Sequence, residues 1–292
     1  MELQWPLIIF TLLICLGAGT FGVTGLLAAL GKGDEIRFPA LIVSLVAVVA
    51  GGLASVLHLQ HWERVFNGFG NPTSGITQEI VGIAIVVIVA IVYLVMSRRG
   101  ETPKWIGWAA LVVSVLLVIA MAHSYAMPSR PLWDSVLLYI YYLANAILFG
   151  SLVVTLLFGL KDGDTGLAGK VAIGGGVAQV VVMLGYAILI PFLGASFTTV
   201  GNYFDSTDPT KAMQNPSAVF SSFLTGDYAL LFWGGALILG AALPLVIAII
   251  SHKKSGTALV GSAGVGVASA LLGGVAFRAL LYLLGFTTFV FY

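Results

Sequence analysis

Eight stretches of this chain are long and apolar enough to cross a lipid bilayer, and that leaves few other folds open to it. A helix needs about 20 apolar residues to span the hydrocarbon core. The stretches run near 6–30, 38–59, 77–97, 105–123, 133–160, 169–194, 227–250 and 257–285. Membrane barrels are written as short alternating segments instead, and none is visible. The pattern predicts an all-helical integral membrane bundle of eight helices, forming a single domain over residues 1–292.

Composition supports this. Hydrophobic residues make up 59% of the 292 positions and charged residues 9%, against roughly a quarter charged in an ordinary soluble domain. Mean hydropathy is +1.06. These values exclude a cytosolic globular enzyme, a disordered chain and a nucleic-acid binder. A single cysteine, Cys15, cannot close an internal disulfide or hold an iron–sulfur cluster. Any such redox centre must sit on a partner. The 36 glycines suit closely packed membrane helices. The first span lacks the basic leader of a signal peptide and is too long for one, so it reads as a true span.

Basic residues set an orientation. Loops after spans 1, 3, 5 and 7 hold Lys32, Arg37, Arg98, Arg99, Lys104, Lys161, Lys170, Lys253 and Lys254. The opposite side holds only Arg64, Arg130 and Lys211. The positive-inside rule places both termini outside. The outer connections, near 60–76 and 195–226, are the long ones, suited to a docking platform or a lid.

Ionisable groups near spans are costly and therefore informative. With this topology, His58 ends span 2 and Glu79 opens span 3 on the outer side. His123 and Tyr125 end span 4 there, Trp133 and Asp134 open span 5, and Asp227 opens span 7. Arg278 lies about two turns before the outer end of span 8. His58 and Glu79 join neighbouring helices at one depth, a place to take up two protons from a lipid-soluble substrate. Arg278 is expected to pair with a carboxylate, Glu79 being nearest in depth. His58 and His61 stand at i, i+3, but no third ligand accompanies them, so no metal site is expected. His252 reads as a solvated loop residue. Every lysine lies in a loop or at a span end, which rules out a retinal Schiff base. His58 and His123 are the only same-side helical pair for a haem, a weak case.

At these residues the sequence resembles a known family. Leu57-His58-Leu59 followed by Arg64-Val65-Phe66-Asn67 resembles the end of the second helix of dimethyl-sulfoxide reductase anchor subunits. Ser74-Gly75-Ile76-Thr77-Gln78-Glu79-Ile80 resembles the start of that family's third helix. The opening Glu2-Leu3-Gln4-Trp5-Pro6-Leu7 is similar too, as are Tyr125 with Pro131 and Trp133, and Phe277-Arg278 with Tyr282. Gln60 stands where the family has a glycine, and Trp62 where it has a proline.

The resemblance implies a subunit that anchors two partners at the outer face of a prokaryotic cytoplasmic membrane: a molybdopterin catalytic subunit and a four-cluster, ferredoxin-like iron–sulfur subunit. It implies menaquinol oxidation, with electrons passed to the iron–sulfur subunit and no haem in this chain. His58 and Glu79 then match quinol-binding positions, Arg64 the basic residue nearby, and Arg278 and Tyr125 complete the candidate site. Protons released and consumed on one side predict little charge movement across the membrane. Two other readings stay open: a polysulfide-reductase-like quinone anchor, and a secondary transporter or proton channel, although the inner halves of the spans carry almost no ionisable groups. A purely structural anchor is a further alternative.

Overall fold

A computed structural model describes residues 3–57, 61, 67, 69–197, 214–252 and 254–288. Every regular element among them is helical. Helices α1 (Trp5–Ala29), α2 (Asp34–Val56), α3 (Gly75–Arg98), α4 (Lys104–Tyr125), α5 (Val136–Lys161) and α6 (Gly166–Phe192) follow in order. A 3₁₀ turn, Leu193–Phe197, extends α6, and a short helix α7 covers Pro216–Ser221. A π-helical segment, Leu231–Ala242, runs into α8 (Leu243–Ser251), and α9 (Gly256–Leu283) closes the bundle. Eight of these units are long and apolar enough to cross a membrane.

The expected spans and the observed helices agree in number and nearly in extent. Two starts differ for local reasons. Span 5 begins at Val136 rather than near 133, because the Ser135 hydroxyl caps the helix by accepting from the Leu137 amide at 3.2 Å. Span 2 begins earlier, at Asp34, whose carboxylate favours the positive helix start. Arg37 is consequently a buried helix residue rather than a loop cation. It pairs with Asp34 and donates to Thr102 Oγ1 at 3.0 Å.

Helices α1 and α5 lie at the centre. Helix α1 packs on α2, α4 and α5, while α5 packs on α6 and α9. Glycine sets how closely they approach. A Cβ on Gly19 would fall 1.9 Å from the Ala146 carbonyl oxygen, and one on Gly150 only 2.1 Å from the Gly19 carbonyl carbon. Backbone thus meets backbone where α1 crosses α5. The same holds where α9 crosses the π segment, since a Cβ on Gly273 would lie 2.0 Å from Gly240 Cα. Helix α3 is an edge element that leans mainly on α2 and α4.

Short turns join the helices at one end of the bundle and long connections at the other. The long-loop end is closed by aromatic packing. Phe197 stacks on Phe220 at 5.5 Å between ring centroids, and Phe286 meets Phe220 edge-on at 5.8 Å.

Candidate functional site

The start of α3, the end of α4, the start of α5 and the end of α9 converge at the long-loop end. Glu79 sits in the second turn of α3 and is buried. Its carboxylate accepts a hydrogen bond from the Ser124 hydroxyl of α4, which also lies 2.8 Å from the Met121 carbonyl. Gly75 permits this approach: a Cβ there would stand 2.4 Å from Ser124 Cβ. Glu79 also lies within electrostatic reach of the Tyr125 and Tyr282 hydroxyls.

Aromatic side chains hold the other wall. Tyr125 packs against Trp133 and Tyr142, with ring centroids 5.9 and 6.3 Å away. Trp133 donates from Nε1 to the Leu281 carbonyl at 2.8 Å and meets Tyr282 edge-on at 5.4 Å. Arg130 lies over the Trp133 ring at 4.7 Å and donates to the Gly285 carbonyl at 3.1 Å. These contacts pin the α4–α5 connection to the end of α9.

Arg278 does not pair with Glu79. It is fully buried one layer deeper, and its partners are all uncharged. Nε donates to Thr11 Oγ1 at 2.9 Å, and Nη1 donates to Tyr141 at 2.9 Å and to the Gly274 carbonyl at 3.1 Å. Nη2 reaches the Thr11 carbonyl, Cys15 Sγ and Asn145 Oδ1 at 3.2, 3.2 and 3.1 Å. The faces of Tyr141 and Tyr142 flank the guanidinium at 5.5 and 5.3 Å. The expected carboxylate is replaced by a neutral cage from α1, α5 and α9. Tyr125, Tyr142 and Tyr141 form a row of touching rings between the two sites.

Of the residues expected at the site, Glu79 and Tyr125 therefore lie within electrostatic reach of each other, and Arg278 stands behind them. His58 and Arg64 lie outside the described residues. Sequence reasoning did not assign Ser124 or Tyr139 a role. Tyr139 Oη lies 2.9 Å from His123 Nδ1. His123 in turn lines a groove of about 580 Å³ between α3 and α4. The available signal was positional: His123 ends span 4, and Tyr139 lies one turn into span 5. His252, expected to be solvated, is half-buried against α6, where a Cβ on Gly169 would come within 2.7 Å of its Nδ1.

The sequence matches the family described as DMSO reductase anchor subunit (DmsC) over residues 1–284. The chain belongs to that family. With eight apolar helices it is a multi-pass membrane protein of the dimethyl-sulfoxide-reductase anchor type. It is also similar to the anaerobic dimethyl sulfoxide reductase chain YnfH of Escherichia coli (strain K12), 29% identical over 140 residues. That alignment covers 45% of this chain and 49% of the relative, so the match spans about half of the relative's length.

Proposed function

We propose that this anchor subunit binds menaquinol at the long-loop end and passes its electrons to an iron–sulfur partner. In this reading the whole chain is one membrane domain with both termini outside, in the cytoplasmic membrane of a prokaryote. The long-loop end faces outward. There it docks a four-cluster iron–sulfur subunit, which relays electrons to a molybdopterin catalytic subunit.

One observation carries the proposal. A buried carboxylate, Glu79, is held by a hydroxyl within electrostatic reach of two phenols, at the long-loop end of a bundle from an anchor-subunit family. A carboxylate at this depth is costly to insert and needs a purpose. Quinol oxidation supplies one: each quinol yields a quinone, two protons and two electrons. Glu79 takes one proton and His58 the other, and both electrons go to the partner's nearest cluster. Arg64 orients the ring near His58. Arg278, caged among neutral groups, adds a fixed positive charge behind the phenol row, which favours negative charge developing on the ring.

The test uses the assembled complex in membranes, supplied with a menaquinol analogue. Glu79→Leu and His58→Arg should each abolish quinol-linked turnover while the partner subunits still co-purify with the chain. Turnover that survives both changes would place the site elsewhere. Because protons are released and consumed on one side, turnover should generate no membrane-potential signal in sealed vesicles.

A further inference from the structure

We propose that the groove between α3 and α4 seats the prenyl tail of the quinol, with His123 hydrogen-bonded to an oxygen of its ring. The inference rests on the quinol reading above and deepens it.

The groove has a direction. Its α4 wall runs from Val113 to His123 and its α3 wall from Thr77 to Ile85, about 12–15 Å at the helical rise. Val81, Ile85, Leu116 and Leu117 make its length apolar, and the polar groups Gln78 and His123 stand only at the long-loop end. An occupant must therefore have a hydrogen-bonding head and a long apolar tail. Because α3 is an edge helix, the groove opens sideways to lipid, and Val81 and Ile85 are exposed there.

The head end discriminates between membrane amphiphiles. Among the described residues no lysine or arginine lines the groove, so none of them offers a phosphate a cationic partner. A neutral ring hydroxyl fits a histidine. Tyr139 engages Nδ1 and thereby fixes the ring, leaving Nε2 as the atom for a ligand. Tyr139 is a positioning residue in this arrangement. The groove also connects with the site already described. Ser124, which holds Glu79, is the residue after His123. A ring at the head of the groove lies one residue along α4 from the contact that holds the carboxylate.

The experiment compares two donors on the assembled complex: a prenylated menaquinol, and menadiol, the same ring without the tail. Val81→Trp and Ile85→Trp fill the groove from lipid-exposed positions. Each should raise the ratio of the two KM values, prenylated over tail-less, by roughly ten-fold, as expected for about two buried methylenes lost from contact. Val92→Trp, exposed on α3 away from the groove, should leave the ratio unchanged. His123→Phe should raise KM for both donors, His123→Gln should recover part of that loss, and Tyr139→Phe should fall between them. If neither groove variant moves the ratio, or if His123→Phe leaves both KM values at their original level, the proposal is overturned. If the unmodified complex oxidises neither donor, the quinol reading itself fails, a result distinct from the failure of the groove.

Discussion

Arg278 Nη1 donates to the hydroxyl of Tyr141 at 2.9 Å, in a cage with no carboxylate within ion-pair reach among the described residues. Charge is thus kept in the bundle by hydrogen bonds and aromatic faces alone. Removing the guanidinium leaves Asn145, Tyr141 and Thr11 facing a void. Arg278→Ala should destabilise the folded chain by about 3 kcal/mol or more, combining a cavity with unsatisfied polar groups. Tyr141→Phe removes one charge-assisted bond and should cost about 1.5–3 kcal/mol. Thermal unfolding of the detergent-solubilised chain measures both. Equal midpoints for Arg278→Ala and the native chain would show that the cage does not stabilise the fold.

A second expectation concerns Ser124. Its hydroxyl holds Glu79 but accepts no proton itself. Ser124→Ala should leave the complex assembled and lower quinol-linked turnover by about ten-fold, the equivalent of one net hydrogen bond. Glu79→Gln should fall further, because the proton acceptor is lost altogether. Steady-state rates with a menaquinol analogue, normalised to the amount of co-purified partner, decide the order.

The helix crossings predict where side chains are tolerated. Gly150→Val forces side-chain atoms into the α1 backbone at Gly19 and should destabilise by about 1–3 kcal/mol or more. Gly174→Val, where a Cβ meets nothing within 4 Å, should be nearly neutral. The amount of each variant recovered from membranes, with its thermal midpoint, separates the two. Comparable losses at both sites would contradict the packing described.

Orientation can be read with an impermeant maleimide. Cys15 is fully buried, so the native chain should react only after unfolding. A cysteine at Met127, in the α4–α5 connection, should label from outside intact cells. One at Glu101, in the α3–α4 turn, should label only after permeabilisation. The reverse pattern would invert the proposed topology.

Much of the architecture is legible in hydropathy. Twenty-residue apolar runs admit one kind of element, so all eight spans can be located within a few residues. What hydropathy does not encode is which side of each helix faces which neighbour. Arg278 shows the consequence. Its depth points to Glu79, but its angular position on α9 turns it toward Thr11, Cys15 and Asn145. Those residues read individually as unremarkable polar or small positions in spans 1 and 5. His123 is similar: its place at the end of a span is visible, while its partner Tyr139 requires the packing of α4 against α5 and the groove that of α3 against α4. The π-helical stretch Leu231–Ala242 left no sequence mark that a simple apolar run would not also leave. Its Gly240 has a reason only once Gly273 is seen against it.

The cage around Arg278 has a bearing on how the chain is made. A lone arginine adds about 2.5–3.5 kcal/mol to the insertion of a helix, and α9 already has the lowest hydropathy of the eight spans, 1.8. Its cage partners on α1 and α5 are synthesised first. By the time α9 leaves the ribosome, the acceptors for its charge are already in the bilayer. Most of the acceptors that satisfy the charge of the last helix therefore exist only once α1 and α5 have met, so the cost of burying Arg278 is offset by assembly of the earlier helices.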